Sequence, residues 1–145
     1  MNYKKYLTVL LCSLFLSTTT LAAVKDELRP KSCNKMRLMT ISTKLKLTSS
    51  SKCVKYTVKN GGEFHFDVFA TNTIVILVQP GGKLLSEEDV FAIINRGGEV
   101  KVVDGTVDNL HSEAGSTKVT NDAEINNQSG SALVELDNNI KLKKN

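Results

Sequence analysis

The stretch that decides the fold is FHFDVFATNTIVILVQPGGKLL, residues 64–85. It begins with FHFDVF, in which apolar and polar residues alternate, continues into the almost wholly apolar run TIVILV, and stops at Pro-Gly-Gly. Alternation is typical of a strand with one buried face, whereas a continuous apolar run is typical of a strand covered on both faces. The outer cover of TIVILV is expected to come from the N-terminal part of the chain.

The Pro-Gly-Gly break belongs to a series of similar breaks. A glycine pair or a Gly-Ser is followed at once by a short strand in NGGEFHF, PGGKLLS, RGGEVKV, AGSTKVT and SGSALVE. Their first glycines are separated by 20, 16, 18 and 15 residues and lie at Gly61, Gly81, Gly97, Gly115 and Gly130. About 18 extended residues suffice for two or three short strands with tight corners. The series therefore predicts an all-β fold, a short parallel β-solenoid whose turns stack on one another.

An antiparallel β-sandwich or jelly roll is the alternative fold. Short strands with a turn every 8 to 12 residues or so are equally typical of it. The segments KNGGE and VDGTV could each form a hairpin turn. Helical periodicity is nearly absent, and only SEEDVFAII, residues 86–94, is compatible with a helical turn.

The segment from about residue 61 to 142 resembles a known kind of module. Its glycine corners and its Val and Ile residues interleaved with Asn, Asp and Ser are similar to the short right-handed β-helical modules of bacterial secreted and surface proteins, including the adhesin-head type. The resemblance covers a little over half of the chain and rests on composition. It implies a rigid extracytoplasmic rod that presents a binding face, and it transfers no functional residue.

Residues 1–23 are predicted to be a signal peptide. Two lysines precede the apolar run YLTVLLCSLFL, which is too short to be retained as a membrane span, and small residues end at Ala23. Cleavage removes two of the charges behind the formal net charge of +4, which leaves too small an excess to indicate a nucleic-acid ligand. The mature chain is then one domain, with an N-terminal disulfide-containing cap segment at 24–60 and the glycine-punctuated region at 61–145.

Cys33 and Cys53 are the two cysteines that remain after cleavage. In an oxidising compartment they are predicted to form one structural disulfide, because no C-x-x-C spacing is present to favour redox chemistry. The residues between them are polar, with alternation in TISTKLKLT, and this pattern favours a hairpin or a covering flap.

Two groups of polar residues are candidate sites. Glu63, His65 and Asp67 alternate on one side of a strand and could hold a metal ion, but a solvent-facing polar side opposite an apolar one explains them with nothing further, so no metal site is predicted. His111 lies beside Ser112 and Glu113, but there is no nucleophile elbow, and triad members normally converge from separate segments. No catalytic residue and no cofactor are therefore predicted.

These features favour an exported, non-enzymatic binding or structural module of the bacterial envelope or secretome, periplasmic or at the cell surface. It would display a rigid β face to a protein or glycan partner, and its open ends would allow self-association. One alternative is a small carbohydrate-active or metal-dependent enzyme. The other is an inhibitor or immunity-type protein that binds another exported protein.

Overall fold

The computed structural model describes residues 28–69 and 72–137. The predicted signal peptide and the last eight residues of the predicted repeat region lie outside the described residues. Within the described part of the chain, no helix is long and apolar enough to cross a membrane.

Eight strands form a single sheet that winds around the molecule. Their order is β1-β3-β5-β7-β6-β4-β2, and β8 pairs with β7. The strands are β1 (Arg37–Ile41), β2 (Lys44–Leu47), β3 (Val54–Val58), β4 (Glu63–Phe66), β5 (Ile74–Val78), β6 (Lys83–Ser86), β7 (Val90–Ser129) and β8 (Val134–Leu136).

Every one of these strand pairs is parallel. The protein is therefore an all-β parallel solenoid of about five turns, and the antiparallel alternative is wrong. Each turn contributes one strand to the β1-β3-β5-β7 side and one to the β2-β4-β6-β7 side. The continuous strand β7 passes through several corners without interruption.

The segment at residues 86–94 forms no helical turn. Ser86 ends β6 and Val90 begins β7, so the acidic residues between them form the corner that joins two turns. Val90, Ala92, Ile93 and Ile94 are fully buried, because the strand contacts protein on both faces and its apolar residues need no helical spacing.

The main core fills the space between the two sides of the solenoid. The ring of Phe64 contacts those of Tyr56 and Phe66 in tilted and edge-on arrangements, with centroids 4.9 and 6.0 Å apart, and each of the three residues is at most 2% exposed. Ile76 and Ile93 extend the same core and are completely buried. Full burial of such side chains contributes about 1.5–3 kcal/mol each.

A second apolar cluster lies on the outside of the sheet. Val75, Leu77, Ala92 and Ile94 point away from the main core and are nonetheless buried. Leu28 and Met36 pack over them, together with Phe91. Both faces of TIVILV are thus covered, and the N-terminal segment supplies the outer cover, as predicted.

The predicted disulfide is present. Cys33 and Cys53 are bonded, with their Cα atoms 5.6 Å apart. The bond links the covering segment, residues 28–36, to the start of β3. Because such bonds persist outside reducing compartments, it indicates an oxidising, exported environment.

Residues 37–47 differ from the hairpin or flap that their pattern favoured. β1 pairs with β3 and β2 pairs with β4, both in parallel, so this segment is the first turn of the solenoid. The solenoid therefore begins inside the predicted cap segment at 24–60. The corner between β1 and β2 is Ser42-Thr43 and contains no glycine, so the series of glycine corners did not reveal it.

The five glycines of the series all have positive φ angles, between 77° and 128°. Gly115 shows why a glycine is needed there. A Cβ atom at this position would lie 2.2 Å from the carbonyl oxygen of Gly98, on the turn before it. The corner therefore requires both the left-handed backbone and the absence of a side chain.

Candidate functional site

The most distinctive exposed surface is the outward side of the β2-β4-β6-β7 sheet. Strand pairing puts Leu45, Phe64, Leu84 and Val100 side by side facing inward, and the residues that alternate with them face outward. A groove of about 510 Å³ runs along this side. We call its outward residues the lysine face: Lys44, Lys46, Glu63, His65, Lys83, Leu85, Glu99 and Lys101.

The first row of the lysine face alternates in charge. Lys44 pairs in register with Glu63, Glu63 with Lys83, and Lys83 with Glu99. The Lys44–Glu63 and Lys83–Glu99 charged atoms are each 3.8 Å apart, and all four side chains are at least half exposed. Exposed pairs of this length contribute less than about 1 kcal/mol each, so they break easily in favour of another charged group.

The second row consists of Lys46, His65, Leu85 and Lys101. Leu85 is half-buried and gives the groove an apolar patch at its middle. Lys101 is exposed, and it forms no ion pair within the part of the chain that the structure describes. With four lysines against two glutamates, the lysine face carries an excess of positive charge.

Three potential metal ligands meet at one margin of the lysine face. The donor atoms of His65, Asp67 and Glu87 all lie within 4.8 Å of one another, and we call this group the His65 cluster. The Nε2 atom of His65 is 2.5 Å from Oε2 of Glu87. The Nζ atom of Lys46 is 2.9 Å from Oδ2 of Asp67.

The His65 cluster differs in one member from the triplet Glu63, His65 and Asp67, which alternation groups on one side of the strand. His65 and Asp67 come together, but Glu63 stands apart and pairs with Lys44. Its place is taken by Glu87, which lies one turn further along the chain. The backbone N–H of Glu87 donates to the carbonyl of Phe66, and this bond places Glu87 beside Asp67.

Further carboxylates follow the cluster at the corner after β6. Burial raises the pKa of the Glu88 carboxyl, and the nearby charges of Asp67 and Asp89 raise it further. Asp89 accepts a hydrogen bond of 2.7 Å from the N–H of Thr106, so its role includes closing the corner on the next turn. This margin is therefore negative, in contrast to the adjacent lysines.

His111, Ser112 and Glu113 do not assemble as a triad. The hydroxyl of Ser112 points into the core, 3.0 Å from Thr117 Oγ1. His111 is 2% exposed, with Nε2 3.0 Å from Glu113 and Nδ1 2.7 Å from Ser129 Oγ. Both ring nitrogens are thus engaged, and the serine that contacts the imidazole comes from the next turn, where no sequence motif marked it.

Comparison with known proteins finds no family model that matches the chain, no matching curated protein and no matching solved structure. The parallel solenoid is therefore established by its own strand register, and the function must be argued from the surfaces that the solenoid presents.

Proposed function

We propose that the protein is an exported, non-enzymatic binding module of the bacterial envelope or secretome, located in the periplasm or at the cell surface. Its lysine face binds an acidic glycan. The observation that carries this proposal is the groove of about 510 Å³, which places four lysines and the half-buried Leu85 on one outward side of the sheet.

The solenoid suits a ligand with regularly repeated charges. Neighbouring turns lie about 4.8 Å apart in a parallel sheet, so lysines two turns apart, such as Lys44 and Lys83, stand about 10 Å apart. The parallel register fixes these backbone positions before any ligand arrives. A rigid receptor loses less conformational entropy on binding than a mobile loop does.

The lysines can change partners at little cost. The Lys44–Glu63 and Lys83–Glu99 contacts are long and exposed, so a ligand carboxylate or sulfate can replace the glutamate in either pair. Lys101 needs no pair to be broken. An acidic ligand therefore gains charge contacts without exposing a buried charge.

The same surface favours an acidic sugar over a neutral one. The chain contains no tryptophan, and the outward positions of the lysine face hold no phenylalanine or tyrosine. Phe64 lines the groove but is only 2% exposed, so its ring face cannot stack on a sugar. Recognition must then depend on charge and on the patch around Leu85.

The proposal is tested by comparing the binding of the protein to polygalacturonate and to methyl-esterified polygalacturonate. The two polymers have the same backbone, but the esterified form lacks the charges. The wild-type protein is expected to bind only the charged polymer. The variant K83Q/K101Q is expected to bind about tenfold more weakly, since each exposed charge contact contributes up to about 1 kcal/mol. Binding should also weaken as salt is raised, because exposed charges are screened over about 10 Å at 0.1 M salt.

The matched control is K52Q/K59Q, which removes two exposed lysines away from the lysine face. It has the same net charge as K83Q/K101Q and is expected to bind like the wild type. Equal binding of both polymers, or equal loss in the two variants, contradicts the proposal. Capture of an acidic protein in place of any acidic polysaccharide would also contradict it.

A further inference from the structure

We propose that the His65 cluster is a binding site for a divalent transition-metal ion, and that Zn²⁺ is the ion its donors suit best. The site offers one imidazole nitrogen, from His65, and two carboxylate oxygens, from Asp67 and Glu87. Mixed nitrogen and oxygen donors are typical of zinc sites, whereas Ca²⁺ and Mg²⁺ prefer oxygen alone. This inference does not depend on the glycan proposal.

The backbone brings these donors together. His65 and Asp67 are two residues apart, so their side chains leave the chain on the same side. Glu87 is held beside Asp67 by the hydrogen bond from its own N–H to the carbonyl of Phe66, 3.0 Å long. Two of the three positions are thus fixed by β4 and the residue that directly follows it, and the third by the parallel register.

The distances fit a single ion after small side-chain rotations. Zn²⁺ binds nitrogen and oxygen at about 2.0–2.2 Å, so two donors of a tetrahedral site lie about 3.4 Å apart. The three donor atoms already lie within 4.8 Å of one another. His65 Nε2 and Glu87 Oε2, at 2.5 Å, need only separate to admit the ion between them.

The exposure of the side chains also fits. The side chains of His65, Asp67 and Glu87 are 28%, 35% and 35% exposed. This partial burial reduces the screening of their charges by water, and the remaining exposure leaves a path by which an ion can enter. Three protein donors leave the fourth tetrahedral position for water or a ligand group.

The carboxylates of the cluster carry negative charge that a bound cation would neutralise. Asp67 and Glu87 supply two carboxylates, and among the residues that the structure describes Lys46 is the lysine that contacts them, with its Nζ 2.9 Å from Oδ2 of Asp67. A divalent ion would neutralise the charge of both carboxylates. The Lys46 side chain is 53% exposed and can turn away to solvent when the ion binds. Lys46 is therefore a competitor of the metal.

The test is calorimetric titration of the purified, tag-free, disulfide-bonded protein with Zn²⁺. The wild type is expected to bind one equivalent. H65Q and E87Q are each expected to weaken the binding by at least tenfold, because each removes one of three donors. E63Q is the matched control, since it makes the same change of charge as E87Q, on the strand that carries His65 but outside the cluster, and its affinity should equal that of the wild type.

A variant with the opposite expected sign separates metal binding from damage to the fold. K46Q removes the competing cation and is expected to raise the affinity for Zn²⁺ several-fold, which misfolding cannot do. The proposal is overturned by the lack of one-to-one binding, by unchanged affinity in both H65Q and E87Q, by an equal loss in E63Q, or by a K46Q affinity no higher than that of the wild type.

Discussion

Replacement of Asn95 by alanine is expected to lower the free energy of unfolding by about 3–5 kcal/mol. Asn95 is completely buried and occupies the inward position that Val58 and Val78 hold on the two preceding turns. Its amide nitrogen donates to Gly98 O, Ser116 O and Thr117 Oγ1, at 3.0–3.2 Å. Its amide oxygen accepts from the N–H groups of Gly97 and Gly98, at 3.2 and 2.9 Å.

The expected loss of stability comes from the buried polar groups that lose Asn95 as their hydrogen-bond partner. Alanine removes all five hydrogen bonds, and each buried polar group that loses its partner costs about 1–3 kcal/mol. Not all five carry the full cost, since the Gly97 N–H is only partly buried. The loss should appear in equilibrium urea denaturation as a lower midpoint with an unchanged slope.

Two further variants identify the cause of the loss. N95V restores the residue type of the neighbouring turns, so it repairs the packing but not the hydrogen bonds, and it should be nearly as unstable as N95A. N127A removes an exposed asparagine whose amide nitrogen donates to Asp108 O, and it should cost no more than about 1 kcal/mol. If N95V is as stable as the wild type, packing and not hydrogen bonding governs this corner.

The corners and the central strand could be predicted from the sequence because their signals are local. Gly81 and Gly115 adopt conformations that other residues resist, so a glycine is visible wherever the chain needs one. The unbroken apolar composition of TIVILV is enough to predict that both faces of this strand are buried. The strand patterns themselves do not distinguish parallel from antiparallel pairing, since a short alternating strand looks the same in both. The parallel arrangement is predicted from the glycine series alone.

The side-chain contacts of the candidate site could not be predicted from the sequence, for a different reason. In a solenoid, a side chain meets the residues one turn away, and the length of a turn varies. His65 contacts Glu87 at a separation of 22 residues, whereas His111 contacts Ser129 at a separation of 18. A partner can be named only when the length of the intervening turn is known, so the sequence grouped His65 with Glu63 instead.

Removal of the disulfide in C33S/C53S is expected to lower the free energy of unfolding by about 3 kcal/mol. The bond closes a loop of 20 residues, and the chain-entropy model assigns about that value to such a loop. The chain between the cysteines includes β1 and β2, the first turn of the solenoid. The destabilisation should therefore be greatest at the end of the solenoid where the stack of turns begins.

Removal of the disulfide should free the covering segment, residues 28–36, under conditions in which the rest of the fold stays intact. Leu28 and Met36 cover Val75 and Leu77 from the outside, and they lie in the segment that Cys33 links to the fold. Without the bond, that segment can leave the sheet at the cost of one small apolar contact area, which exposes the outward apolar side of β5. Proteolysis should then cut within residues 28–36 well below the unfolding midpoint, whereas the wild type resists until it unfolds. Equal resistance of C33S/C53S would mean that apolar contacts alone hold the cover, and that the disulfide acts only on the unfolded chain.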